Sequence, residues 1–280
     1  MADLLMTITR IDSLDDPRID SYARLTGRQL KSVINPGDAS IICESLYVIQ
    51  LAARLGLAFR SVLVDERHLQ RLLDLIPSLG DLDIPIYVAS REVMSGIVGF
   101  RVTRGYLACV DRPRPASAEG ILSSSSRIAV VEGLVDVSNM GALFRSAAAL
   151  GVDGVLLAPT CADPLSRRSI RVSMGTVFQV PWAPAPLPWA GGVFEALRAH
   201  GFESVAMALD DRAVPLGDSS LAKADKLALF FGTEGTGLTE EVLASVDRTV
   251  IIPMSHGVDS LNVAASSAVA FWELCARPRA

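Results

Sequence analysis

The sequence predicts a two-domain α/β protein. Three observations carry that reading: a length of 280 residues against a usual domain size of about 150, a repeated alternation of short β-branched runs with helical stretches, and one Pro- and Ser-rich interruption near the middle. In the first half, residues 41–43 read as a strand, 46–55 as a helix closed by Gly56, 61–64 as a strand, and 66–76 as a helix stopped before Pro77. Residues 84–88 and 106–110 are further strands. This β-α-β rhythm favours layers of helix on sheet over a helical bundle. The stretch from Asp111 to Gly120 and the serines at 123–126 lack periodicity. A first domain over 1–114, a linker over 115–126 and a second domain over 127–280 are therefore expected.

The second half restarts the alternation. Residues 128–131 form a strand, Ser138 caps a helix from Asn139 to about Leu150, Gly151 ends it, and 154–158 is the next strand. A helix over 193–200, a strand over 204–208, a buried strand over 227–231, a helix over 239–246, a strand over 249–252 and a last helix over 261–274 complete the order.

Composition narrows the classes of function. Half of the residues are hydrophobic and mean hydropathy is +0.37, which suits a sizeable core and not a disordered chain. No segment reaches 18 uninterrupted apolar residues, so no membrane partner is expected. The acid-rich N-terminus fits neither a secretory nor a transit peptide, which makes a cytoplasmic location the expectation. A net charge of −5 argues against a surface that traps nucleic acid everywhere, although it leaves room for a local basic site. Four cysteines without a C-x-x-C pair, and three histidines not at ligand spacing from them, predict no metal site.

Three segments are candidates for chemistry. Gly232-Thr-Glu-Gly-Thr-Gly237 follows an apolar strand and precedes a helix, so its backbone amides can approach a ligand closely. Residues 135–151 open a helix with Asn139 and put Arg145 among Ala142, Leu143, Phe144, Ala147 and Ala148, so an inward-facing Arg145 that meets an anion is expected. Residues 252–262 bring Asp259, Ser260 and Asn262 to the entry of an apolar helix. Read singly, Asn139 and Ser260 are ordinary caps and Asn262 is a first-turn residue.

Together the three segments resemble the SpoU/TrmH group of the SPOUT superfamily. The residues that carry the resemblance are Asp136, Asn139, Gly141, Arg145 and Gly151 in the first motif. Gly232, Glu234, Gly235, Gly237, Leu238, Asp247, Ile252, Pro253 and Met254 carry the second, and Ser260-Leu261-Asn262-Val263 the third. The similarity extends through 164–175 and so spans 127 to the C-terminus. The first domain is similar, more loosely, to a ribosomal-protein-like substrate-binding domain, with Ser45 where those proteins have glycine after Glu44.

The resemblance implies a trefoil-knotted, homodimeric, S-adenosylmethionine-dependent RNA ribose 2′-O-methyltransferase, with ribosomal RNA favoured over transfer RNA. It implies cofactor contacts at Gly232, Thr233, Gly235, Gly237, Ile252, Met254 and Leu261, and catalytic roles for Arg145, Asn139, Glu234, Ser260 and Asn262. Arg145 is the family's candidate base, but a guanidinium has no acceptor to offer, so pairing with phosphate or with a developing alkoxide is the alternative role. Arg167, Arg168 and Arg171 would gather RNA phosphates beside the cofactor, and Arg28 and Lys31 would grip a more distant part of the RNA. A non-catalytic RNA-binding factor and a nucleotide-binding α/β enzyme are the rival classes.

Overall fold

The computed structural model describes residues 7–24, 29, 31, 36–98, 105–210, 212–233 and 235–276. By packing, the chain divides into one compact unit of Met1–Pro113 with Leu165–Gly175, and a second of Arg114–Pro164 with Thr176–Ala280.

The first unit is built on a five-stranded sheet of β1 (Ile8–Ile11), β2 (Ser40–Glu44), β3 (Phe59–Asp65), β4 (Ile86–Ala89) and β5 (Tyr106–Asp111), in the order β1-β4-β3-β5-β2. β1, β4 and β3 run parallel, whereas β5 pairs antiparallel with both β3 and β2. Helices α1 (Asp20–Ala23), α2 (Leu46–Arg54), α3 (Leu69–Leu75) and α4 (Arg91–Val98) accompany it. Ile11, Ile19, Ile42, Leu63, Met94 and Leu107 form one buried cluster on this sheet. β1, α1 and α4 are additions to the sequence expectation.

Ser45 marks a strained joint between β2 and α2. Its φ of 95° and ψ of 148° lie in a region that glycine enters freely and other residues enter at a cost. The side chain is buried, and its hydroxyl has no hydrogen-bond partner among the described residues.

The second unit carries a seven-stranded sheet that is parallel throughout. Its strands are β6 (Arg127–Val131), β7 (Gly154–Leu157), β8 (Trp182–Pro184), β9 (Glu203–Met207), β10 (Val214–Pro215), β11 (Leu227–Phe231) and β12 (Arg248–Ile251), in the order β10-β12-β9-β11-β6-β7-β8. The helices are α5 (Ala118–Ser124), α6 (Val137–Ala149), α8 (Gly191–Ala199), α9 (Glu240–Ser245) and α10 (Val263–Phe271), with α7 (Arg167–Val172) packing in the first unit. Consecutive strand residues face opposite ways, and β11 shows the consequence. Phe230 stacks on Phe194 of α8, with ring centroids 5.1 Å apart, while Phe231 meets Phe271 of α10 edge-on at 5.3 Å. Helices therefore cover both faces of the sheet, and its central strand β11 is apolar throughout.

The expected linker at 115–126 is corrected. Ser117 caps α5 by accepting from the Gly120 amide, and Ile121 and Leu122 are buried in the second unit's core. The serines that made this stretch look unstructured lie on and after a short helix whose apolar side consists of Ala118, Ile121 and Leu122 alone. Arg127 fastens the same region. Its buried guanidinium donates to the carbonyl oxygens of Ser126, Ala224, Asp225 and Leu274 at 2.8 to 3.1 Å, drawing the C-terminal turn onto the start of β6.

Replacing Ser45 by glycine is expected to stabilise the protein by about 1 kcal/mol, because it removes backbone strain worth about 1–3 kcal/mol and an unsatisfied buried hydroxyl, partly offset by glycine's entropy. Urea unfolding at equilibrium checks this. A lower midpoint for Ser45→Gly would show that the joint is not strained.

Candidate active site

β12, β9 and β11 are neighbours in the sheet and run the same way, so their carboxyl ends open at one edge. The loops that follow them, beginning at Ala208, Gly232 and Ile252, surround a cleft of about 540 Å³. A crevice outside the carboxyl ends of parallel strands is the usual ligand position in open α/β sheets. Gly232, Thr233, Gly235, Gly237, Ile252, Met254 and Leu261 all line it, together with Ser260 and Asn262.

The glycine loop is a small closed hairpin. Thr233 and Gly237 exchange backbone hydrogen bonds of 3.0 and 3.2 Å, and the hydroxyls of Thr233 and Thr236 are 2.8 Å apart. Gly235 and Gly237 have φ of +98° and +71°, which glycine alone adopts without cost. Gly232 is required for space instead: a Cβ there would collide with the carbonyl of Gly237.

The first and third motifs meet at the entries of two helices. Asp136, not Ser138, caps α6, accepting from the amides of Ser138 and Asn139 at 2.8 Å each. Asn262, not Ser260, caps α10, accepting from the Ala264 amide at 2.8 Å, and its side-chain NH2 donates to Asn139 Oδ1 at 3.2 Å. The helices begin at Val137 and Val263, two residues from the expected starts, and a capping side chain reaches the amides two or three residues on, so the caps fall on Asp136 and Asn262.

Arg145 differs from expectation. Leu143, Phe144 and Ala147 fill the inner side of α6, and Arg145 is exposed and does not line the cleft. The arginine strip differs too. Arg167 and Arg171 form ion pairs with Glu44 at 3.2 and 3.5 Å, and Arg167 also donates to the Tyr22 carbonyl at 3.2 Å. These two guanidiniums fasten α7 to β2 within the first unit. Lys31 is exposed, and Arg28 and Glu234 fall outside the described residues.

Sequence reasoning missed Met207, Ala208 and Leu209, which line the cleft from the end of β9. The strand itself was legible, but nothing in its residues says that it lies between β12 and β11. Asp259, which the sequence places at the entry of the last helix without assigning it a role, is the single charged side chain among the described lining residues. Among the described residues no cluster of His, Cys, Asp or Glu could hold a metal ion, and no helix is long and apolar enough to cross a membrane.

A doubly covered parallel sheet with a preformed, largely apolar cleft at its carboxyl edge defines a small-ligand-binding α/β domain. Comparison with known proteins makes the class specific. The SpoU rRNA methylase family matches residues 126–272, and the chain belongs to that family. An uncharacterised tRNA/rRNA methyltransferase of Mycobacterium tuberculosis is 38% identical over 92% of this chain and 88% of its own length. A 23S rRNA (guanosine-2′-O-)-methyltransferase of Acinetobacter baylyi is 28% identical over 75% of this chain and 85% of its own. The fold is shared with an AdoMet-bound rRNA methyltransferase from Sinorhizobium meliloti, with a TM-score of 0.78, 22% identity, and coverage of 95% of this chain and 97% of that one.

Asn262→Ala removes both the α10 cap and the tie to Asn139, and is expected to cost about 1 kcal/mol. Asn262→Asp keeps the cap but turns an acceptor oxygen on Asn139 Oδ1, so it should recover only part of that stability. Thermal unfolding of the two variants checks the ranking.

Proposed function

We propose that the protein transfers a methyl group from S-adenosylmethionine to a ribose 2′-hydroxyl of ribosomal RNA. The observation that carries the reading is the cleft itself, where residues of the second and third family motifs converge and Asn262 touches Asn139 of the first. The family membership, the rRNA-named relative and the AdoMet-bound neighbour support it. The cleft suits the cofactor. Its volume of about 540 Å³ lies within the 300–1,000 Å³ common for small-molecule sites. Leu209, Leu238, Ile252 and Met254 offer apolar contact for an adenine ring, the loops offer backbone donors and acceptors, and Asp259 offers a carboxylate to a cationic ligand.

When bound, S-adenosylmethionine supplies an electrophilic methyl group on a sulfonium centre. The protein's part is alignment, because a ribose hydroxyl is a weak nucleophile and orientation alone can contribute several kcal/mol. In this reading Ser260, Asn139, Asn262 and Glu234 orient the hydroxyl by hydrogen bonds. Arg145 serves as a donor to the target phosphate or to the oxygen as it gains charge. A homodimer fits its exposure: Arg145 on α6, Val269 on α10 and Trp272 just after α10 are all exposed, the last two being large apolar residues that a second copy could cover. The chain from β11 through β12 to α10 is read as the threaded, trefoil-knotted part, an exception to the rule against threading. The first unit is read as the RNA-binding module, with Arg28, Lys31 and Arg168 as its contacts, and the cytoplasm as its place of work.

Calorimetric titration with S-adenosylmethionine, ATP and NAD is expected to show binding of the first alone. Gly232→Ala should weaken it about tenfold or more, because the hairpin wall cannot close. With ribosomal RNA as substrate, Arg145→Ala should lower methyl transfer about a hundredfold at saturating cofactor, and Arg145→Lys should also be poor because an ammonium lacks the planar fork. Mapping of the methylated nucleotide in ribosomal against transfer RNA decides the substrate.

A further inference from the structure

Glu132 follows β6 directly, and at 4% exposure its carboxylate is buried. A buried carboxylate is costly unless its oxygens are satisfied. Here one oxygen accepts from Trp189 Nε1 at 2.7 Å and from the Thr239 hydroxyl at 3.0 Å, and the other accepts from the Thr239 amide at 2.9 Å. Thr239 ends the glycine loop and begins α9. The next residue after Trp189, Ala190, donates its amide to Glu241 of α9 at 3.3 Å, so the 189–190 segment and the start of α9 are tied twice.

The same two residues after β6 also meet the beginning of that loop. The Glu132 amide donates to the Phe231 carbonyl at 2.9 Å, extending the β6–β11 ladder by one step. Gly133, with φ of +65°, has no room for a Cβ because the Thr233 methyl occupies that space. Residues 132–133 thus hold the loop where it leaves β11 and where it enters α9. Glu132 itself does not line the cleft.

We propose that Glu132 is a positioning residue for the methyl-donor site, a reading that rests on the function assigned to the cleft: it holds loop 232–238 in its ligand-ready hairpin and so sets cofactor affinity without touching the cofactor. The chemistry requires an acid. Three neutral donors converge on two oxygens, and a carboxylate only accepts. An amide in its place keeps one oxygen, and in either orientation its NH2 faces a donor. Glutamine is therefore nearly isosteric and still breaks the clamp.

The test uses the full chain with three variants. Glu132→Gln breaks the clamp, Trp189→Phe removes one of its three hydrogen bonds, and Ile121→Val thins the core elsewhere as a control for lost stability. In the ligand-free protein, hydrogen exchange at the described amides of 232–239 should rise about tenfold or more in Glu132→Gln, beyond any rise in β6 and β11, and less in Trp189→Phe. S-adenosylmethionine affinity should fall about tenfold in Glu132→Gln and by a smaller factor in Trp189→Phe, and should stay unchanged in Ile121→Val at a lowered Tm. If Glu132→Gln lowers Tm while the folded protein keeps its affinity and its loop exchange relative to the strands, the role is structural only and the proposal is overturned. If the unaltered protein binds no S-adenosylmethionine, the assigned function fails, and the ligand-free exchange comparison alone decides whether Glu132 holds the loop. Should Glu132→Gln not fold, Trp189→Phe decides: no change in exchange or affinity overturns the proposal.

Discussion

The parallel direction of all seven strands in the second unit is the constraint on which its site depends. A parallel sheet needs a crossover between successive strands, so every strand ends at the same edge and every loop that leaves it begins there. β12, β9 and β11 are adjacent in space, with crossovers between them in the chain, and the loops after them close on one cleft. An antiparallel neighbour among the three would have sent one of those loops to the opposite edge. The first unit shows the contrast, since β5 runs antiparallel to both of its neighbours.

Backbone packing then sets how narrow the cleft edge can be. Gly232 is a glycine because another chain segment occupies the place of a Cβ, Gly133 meets that need and a positive φ together, whereas Gly235 and Gly237 have open space around them and serve positive φ values alone. The two needs have different consequences. A side chain at Gly232 would push the hairpin apart, while one at Gly235 would strain its own backbone. A glycine-rich loop is thus two devices in one stretch of sequence, and only the coordinates separate them.

Much of this was legible in the sequence where the physics is local. Residues 227–231 form a strand because five apolar residues in a row suit a sheet covered on both faces, and a helix follows the glycine loop as its spacing implies. Membership of one site was legible for the glycine loop and for 252–262 only through their resemblance to a family. What stayed hidden depends on partners distant in sequence. The inward Arg145 expected from its apolar neighbours is exposed, because Leu143, Phe144 and Ala147 already fill the inner side of α6. Arg167 and Arg171 looked available for phosphates until Glu44, more than 120 residues away, accounted for both. The helix at Ala118–Ser124 was masked by serines whose hydroxyls bond within the helix itself, Ser124 to the Gly120 carbonyl among them.

Many of the arginines of the described chain are paired before any RNA arrives. Arg18, Arg67 and Arg212 each stand two residues after an aspartate that accepts from both the arginine amide and its guanidinium. Those hydrogen bonds hold the Asp16 and Asp210 carboxyls down at about 2, so the pairs persist across ordinary pH. Arg24 and Arg60 are likewise paired, with Asp20 and Asp111. A polyanion gains affinity by releasing counterions to free cations, and a cation already neutralised by its own neighbour contributes little to that release. RNA recognition by such a surface must lean on shape and on contacts to the ribose edge more than on charge. Arg145, like Arg54 and Arg168, forms no ion pair among the described residues, so under the proposed function its guanidinium can meet an anion that a second copy or an RNA brings to the outer side of α6.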